Sequence, residues 1–399
     1  MSATREWQAR WDAVMLGNYG TPPVALVRGS GSEVVDADGR TYLDLLAGIA
    51  VGTLGHAHPA IAAAVAEQAA TLLHTSNLAI HPRGVELAER LVAITGWDAR
   101  VFFAQDGATA NEAALKMARR HGYTVAPDGS RQRIVAMTGG FHGRTMGALA
   151  VTGNPAKRDP FAPFGHEVTF VPFGDTVTLE DVMGTDVVAV ITEPVQGENG
   201  VVVPPAGYLA EVRRITAAHG ALMIVDEVQS GVGRTGEWFA STAAGVVPDI
   251  MTLAKGLAGG LPLGAVVATG AARTALRPGD HGTTFGGNPV SCAAALAVLD
   301  TIASEDLLGH CRAMGERLRA GVEALASPLV EAVRGPGLWI GIVLRQPVAA
   351  AVETRLRELG VLVNAAKADV LRLAPPLVIS GVEVDRFLGL LQQALGEQA

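Results

Sequence analysis

The sequence predicts an α/β fold with a mostly parallel central sheet covered by helices on both faces, and three features carry that expectation. Short, continuous apolar runs rich in β-branched residues alternate with alanine-rich helical stretches, the pattern of strands buried on both faces. The 48 glycines are spread along all 399 residues, as many tight turns require, rather than gathered in a linker. Charged residues make up 18% of the chain and hydrophobic ones 49%, an ordinary globular ratio with length for one large domain and a smaller partner.

The elements follow in order. A Pro22-Pro23 turn precedes two short strands, over 24–27 and 33–36, joined through Gly29 to Gly31. Apolar runs then predict strands over 101–104, 134–137, 187–192, 221–225, 250–253 and 265–268, with helices over 110–121, 208–219 and 289–302. Beyond about Ser304 helix and strand signals alternate again, and no internal repeat is visible. The expected division is an N-terminal segment, 1–54, a large domain, 55–304, and a C-terminal part, 305–399, with the two ends packed together as one smaller α+β domain.

With 31 basic and 39 acidic residues, the net charge of −8 gives no pull toward phosphate backbones or anionic lipid, so neither nucleic acid nor membrane is an expected partner. Residues 1–10 mix acid, base and tryptophan instead of forming an apolar signal core, and apolar runs such as 221–225 are far too short to span a bilayer. A soluble cytoplasmic protein is expected. The two cysteines, Cys292 and Cys311, have no second cysteine or nearby histidine at metal spacing, so idle thiols and no metal site are expected.

In parallel sheets ligands bind at the carboxyl ends of strands, and four positions there carry chemistry. Asp226 follows the run 221–225, where an ionised carboxylate can hold a protonated heteroaromatic nitrogen. Lys255 follows the run 250–253, where a desolvated amine can condense with an aldehyde. Gly107 and Ala108 lead into a helix whose positive end suits a phosphate. Phe141-His142-Gly143-Arg144 offers a ring for stacking and a guanidinium for a carboxylate. Each alone has a plainer role, as helix cap, surface cation, turn, or buried phenylalanine beside a structural arginine. Together they ask for one ligand, a phosphorylated aromatic aldehyde with a ring nitrogen needing an acid partner, which is pyridoxal 5'-phosphate.

From about Asn18 to Val378 the chain also resembles the class III aminotransferases of the fold-type I pyridoxal-phosphate enzymes. The resemblance rests on Gly48-Ile49-Ala50-Val51, Leu54-Gly55-His56-Ala57-His58-Pro59, His74-Thr75-Ser76-Asn77-Leu78, Phe141-His142-Gly143-Arg144-Thr145, Glu193-Pro194-Val195-Gln196-Gly197-Glu198, Asp226-Glu227-Val228-Gln229, Gly282-Thr283-Thr284-Phe285-Gly286-Gly287-Asn288-Pro289 and Arg372-Leu373-Ala374-Pro375-Pro376. It implies that Lys255 is the lysine joined to the cofactor, Asp226 the partner of its ring nitrogen, Phe141 the stacking ring, Val228 the packing on the other face and Gln229 the contact to the ring hydroxyl. It implies that Gly107 and Ala108 bind the phosphate, with Thr284 of the other subunit of a homodimer. It implies that Arg144 and Thr283 touch substrate, and that Arg372 binds an α-carboxylate with Glu198 as a switchable partner. The expected reaction is transfer of the δ-amine of N-acetylornithine to 2-oxoglutarate, giving N-acetylglutamate 5-semialdehyde and glutamate in arginine biosynthesis. Succinylornithine, succinyldiaminopimelate, ornithine and 4-aminobutyrate are the rival donors; a lyase or aminomutase and a catalytically silent cofactor-binding protein are the rival classes. Ile49 stands where ornithine-specific relatives carry an aromatic residue, which argues against free ornithine.

The phosphate loop reads Gln105-Asp106-Gly107-Ala108-Thr109-Ala110-Asn111-Glu112, with Asp106 where that family has a serine. Gly52 and Asn199 depart from the family pattern as well. Two unit charges about 4 Å apart cost roughly 4 kcal/mol at an effective dielectric of 20, so an ionised Asp106 facing the phosphate would oppose cofactor binding. The alternatives are that Asp106 caps the helix, is protonated, or is offset by a nearby cation.

Overall fold

A computed structural model describes residues 2–398. Its strands are β1 (Leu26–Ser30), β2 (Glu33–Asp36), β3 (Thr41–Asp44), β4 (Ala99–Ala104), β5 (Arg133–Met137), β6 (Val168–Val171), β7 (Val187–Thr192), β8 (Leu222–Asp226), β9 (Ile250–Leu253), β10 (Gly264–Thr269), β11 (Val330–Arg334), β12 (Ile340–Leu344), β13 (Val361–Leu362), β14 (Asn364–Lys367) and β15 (Val370–Leu373). The central sheet has seven strands in the order β4-β10-β9-β8-β7-β5-β6. Pairing from β9 through β8, β7, β5 and β6 is parallel, and β10 alone runs against its neighbours β4 and β9. Mostly parallel is therefore the observed arrangement.

The continuous apolar runs are explained by what covers them. Every residue of β7, β8, β9 and β10 is buried. Along β5, Ile134 and Ala136 join one core with Leu115 of the Gly107–Val125 helix, while Val135 and Met137 join another with Val212 and Ile215 of the Tyr208–Ala218 helix. Side chains two apart share a face, so both faces demand apolar residues.

Element ends differ from the sequence expectation in ways that matter for chemistry. The helix expected from 110 starts at Gly107, because Asp106 caps it. Asp226 is the last residue of β8 rather than the residue after it. β6 was not expected; it is the edge strand of the sheet, and of its residues Val168–Val171 only Val171 is fully buried. The first strand lies at Leu26–Ser30 rather than 24–27, and Gly29 belongs to it: Ser30 pairs with Glu33, which leaves Gly31, at φ 55°, and Ser32 as the turn.

Both chain ends meet in one small sheet, β1-β2-β3-β13, in which β13 pairs in parallel with β3 through Val361 to Leu43 and Leu362 to Asp44. A second, β11-β12-β15-β14, carries Arg372 in β15. Cys292 and Cys311 are free and buried, and burial pushes the Cys292 thiol up to about 12. Among the described residues no helix is long and apolar enough to cross a membrane, and no cluster of side chains could hold a metal ion.

Candidate active site

A cavity of about 570 Å³ opens where the ends of β8 and β9 approach the start of the Gly107–Val125 helix, and nine of the twelve residues singled out in the sequence line it. Asp226 is 4% exposed. Its Oδ2 accepts hydrogen bonds from Asn111 Nδ2 at 2.7 Å and His142 Nδ1 at 2.8 Å, and its Oδ1 accepts one from the Val228 N–H at 3.0 Å. Thr252 in turn donates to Asn111 Oδ1 at 2.9 Å, which fixes the amide orientation. A carboxylate held from three sides in a desolvated site is a strong partner for a cationic ring nitrogen.

Lys255 stands two residues past β9 with φ 43°, a left-handed conformation that a residue with a Cβ adopts only under constraint. The constraint crosses from the N-terminal segment: Thr53 Oγ1 donates to the Gly256 carbonyl at 2.9 Å, and a Cβ on Gly256 would come within 2.4 Å of that hydroxyl oxygen. Burial lowers the Lys255 amine to about 8, opposed in part by the negative charge of Glu198. A substantial fraction of such an amine is neutral and nucleophilic near neutral pH.

At the helix start, Asp106 and Thr109 form a capping box. Asp106 Oδ1 accepts from the Thr109 N–H at 2.8 Å, and Thr109 Oγ1 accepts from the Asp106 N–H at 3.1 Å. Of the three alternatives for Asp106, the helix cap is the observed one. The cap satisfies the third amide of the helix and leaves those of Gly107 and Ala108 without acceptors among the described residues. Gly107 packs so closely on Val228 that a Cβ would lie 2.7 Å from Val228 Cγ1.

Phe141 is fixed by its N–H, which donates to Glu193 Oε2 at 3.1 Å. The guanidinium carbon of Arg144 lies 5.6 Å from its ring centroid and Lys157 Nζ 5.4 Å. Glu193, 6% exposed, is raised to about 8 by burial. For His142 burial works toward a lower pKa, but the hydrogen bond and charge of Asp226, with the charge of Glu193, carry it above its ordinary value.

Arg372 does not line the cavity itself. Its Nη1 donates to Glu198 Oε1 at 2.5 Å and to Gln229 Oε1 at 3.5 Å, both on cavity-lining residues, and its Nη2 donates to Asn364 at 2.8 Å. The buried Nε has no partner among the described residues, so the guanidinium retains donor capacity. For Glu198 burial opposes ionisation, and Arg372 outweighs it to hold the carboxyl below its ordinary value. Thr283 and Thr284 are not brought to this cavity. Thr283 Oγ1 accepts from the Gly286 N–H at 3.2 Å, and Thr284 is exposed.

Asn111, His142, Glu193, Thr252 and Lys157 belong to this site without having been assigned a part in the sequence. Glu193 follows β7, apolar from Val187 to Ile191 and closed by the buried Thr192, so the strand-end rule that selected Asp226 points to it as well. Asn111 lies one helical turn after Gly107, on the same face.

The donor set fits pyridoxal 5'-phosphate. Two free amides at a helix start suit a phosphate, Asp226 suits a ring nitrogen, Phe141 and Val228 supply apolar packing, and Lys255 supplies an amine of lowered pKa. The chain matches the family described as aminotransferase class-III over residues 15–395. It is 54% identical to the acetylornithine aminotransferase of Streptomyces coelicolor, covering 100% of this chain and 97% of that one. It is also 54% identical to the enzyme of the same name from Mycolicibacterium smegmatis, covering 98% of each. Among solved structures, the ornithine aminotransferase of Toxoplasma gondii superposes with a TM-score of 0.94 at 31% identity, over 100% of this chain and 96% of that one. The N-acetylornithine aminotransferase of Stenotrophomonas maltophilia does so with 0.85 at 36%, over 96% and 99%. With its sequence matched almost end to end and its cavity furnished for this cofactor, the chain belongs to the class III aminotransferases.

Proposed function

We propose that this aminotransferase moves the δ-amine of N-acetylornithine to 2-oxoglutarate, forming N-acetylglutamate 5-semialdehyde and glutamate. The observation that carries the reading is the pair Glu198 and Arg372, 2.5 Å apart beside a lysine lowered to about 8. An exchange between an N-acylated monocarboxylate and a dicarboxylate needs one cation that is masked for the first and available for the second. The names of the relatives that are 54% identical support the same substrate. Ile49, where an aromatic side chain would favour free ornithine, supports it against the ornithine enzymes.

Gly107 and Ala108 would hold the phosphate through their amides, and Asp226 the ring nitrogen, backed by Asn111 and His142. Phe141 and Val228 would sandwich the ring, with Gln229 at its hydroxyl. When bound, pyridoxal 5'-phosphate supplies an electron sink for the pair left when a proton leaves the amine-bearing carbon. Lys255 Nζ removes and returns that proton, for which an amine near pKa 8 is well matched. Arg144 binds the carboxylate of N-acetylornithine, while Arg372 stays covered by Glu198. For glutamate, Glu198 moves aside and Arg372 takes the α-carboxylate.

A homodimer completes the reading, with Thr284 reaching the phosphate site and Thr283 the substrate site of the other subunit. What supports it is an exposed apolar patch around that loop: Leu73 is 62%, Leu78 96%, Ile80 90% and Phe285 61% exposed. A large domain, 55–304, and a smaller one from both chain ends are part of the same proposal, supported by the pairing of β3 with β13. A cytoplasmic location and a place in arginine biosynthesis are part of the same proposal.

The test is kcat/KM for N-acetylornithine, succinylornithine, ornithine and 4-aminobutyrate, each with 2-oxoglutarate. N-Acetylornithine should lead; a higher value for ornithine or 4-aminobutyrate overturns the reading.

A further inference from the structure

Glu198 stands between two cations. Its Oε1 is 2.5 Å from Arg372 Nη1, and its Oε2 is 3.9 Å from Lys157 Nζ. The two cations are held differently. Arg372 is 3% exposed and pinned by Asn364 and Gln229, so it cannot follow a departing carboxylate. Lys157, its side chain 35% exposed, has a flexible stem rising from the short helix Pro155–Arg158. The loop carrying Glu198 is fixed as well: Gln196 and Val202 exchange two backbone hydrogen bonds of 3.0 Å, and Gln196 Nε2 donates to the Thr138 carbonyl at 2.9 Å. Any movement of Glu198 therefore lies in its side chain, which is 25% exposed and has room to turn.

We propose that Lys157 is the second anchor of Glu198, receiving the carboxylate when a dicarboxylate substrate claims Arg372. The inference rests on the transaminase reading above and assigns a positioning residue that selects between the two half-reactions. Without Lys157, a displaced Glu198 would be an unpaired carboxylate beside an incoming one, and like charges in a partly buried site repel strongly. With it, displacement exchanges one ion pair for another. The cations facing Glu198 are Arg372, Lys157 and Lys255, and only Lys157 combines a side chain in salt-bridge range with no other assigned part.

The test uses the holoenzyme and glutarate, a dicarboxylate that binds without turnover, measured by titration calorimetry. Lys157→Met should raise the glutarate Kd about tenfold, and Lys157→Arg should restore most of it. In a Glu198→Gln background, where no carboxylate needs an anchor, the same Lys157→Met change should shift Kd less than about twofold. A tenfold loss in both backgrounds overturns the proposal, since Lys157 would then grip the ligand directly or support the fold. No loss in either overturns it too. In steady state, the 2-oxoglutarate KM should rise at least about five times more than the N-acetylornithine KM in Lys157→Met; equal rises count against the anchor. Should the wild type fail to use N-acetylornithine while the glutarate coupling holds, the substrate reading falls and the anchor stands.

Discussion

Replacing Glu193 with glutamine tests the electrostatics of the cavity without removing a group assigned to the reaction. Glu193 is 6% exposed, and its carboxyl accepts the Phe141 N–H at 3.1 Å. Burial raises its pKa from 4.5 to about 8. Between those values the folded protein holds a proton that the unfolded chain has released, so the stability contribution is complete below the lower value and lost as pH rises toward the upper one. The slope is about 1.4 kcal/mol per pH unit, so from about pH 5.5 to about pH 7 the wild type should lose about 2 kcal/mol through this group. Glutamine can accept the same N–H and stays neutral, so the variant should escape that loss. Lys255, lowered from 10.5 to about 8, acts above this window, and His142 keeps its larger partner Asp226 in both proteins. Urea unfolding of the cofactor-free protein and its Glu193→Gln variant at both pH values gives the difference directly. If the gap between the two stabilities moves by less than about 0.5 kcal/mol across the window, the buried-acid reasoning is refuted.

Two further outcomes follow from the hydrogen bonds around the cofactor site. Because Asp106 spends its Oδ1 on the Thr109 N–H, Asp106→Ser should leave the pyridoxal 5'-phosphate Kd within about twofold, whereas Asp106→Ala should cost about 1 kcal/mol of stability through loss of the cap; equilibrium dialysis and thermal unfolding check these, and a large gain in affinity for the serine variant would show that the carboxylate faces the phosphate after all. Asp226→Asn should retain cofactor but slow single-turnover amine transfer by at least about a hundredfold, since a neutral amide cannot hold a ring nitrogen protonated; a near-normal rate would move that acid elsewhere.

Residues at strand ends were the legible part of the site. β7 and β9 occupy the expected ranges because a parallel strand buried on both faces is almost continuously apolar, broken here only by Thr192 and Thr252, so a charged residue just beyond it stands out in the sequence. Strand direction was not legible: Gly264–Thr269 reads as apolar as its neighbours, yet it runs antiparallel, since composition reports burial and not polarity of the chain. Nor were the supports of Asp226. Asn111 and His142 are 1% and 2% exposed, but buried polar side chains carry no compositional mark until their partners are known. The turn at Ala47 to Ala50 was equally hidden, because alanine and isoleucine at φ between 48° and 66° contradict local preference; Asp44 Oδ1 accepts the Leu46 and Ala47 N–H groups at its start. Thr283 and Thr284 were named through resemblance alone, and a single chain does not bring them to its own cavity.

The pairing of β3 with β13 sets an order on biosynthesis. Leu43 and Leu362 lie roughly three hundred residues apart in the chain, yet they belong to adjacent strands. At about 5–20 residues per second, a ribosome needs roughly 15 to 60 s to travel that distance. Throughout that interval Leu43 and Leu45, which end fully buried, have no strand to cover them, and the Thr53 hydroxyl has no settled partner until Gly256 emerges. The nascent chain therefore carries an uncovered apolar edge for tens of seconds, a natural binding site for a chaperone, and a truncation before Val361 would leave that edge open permanently.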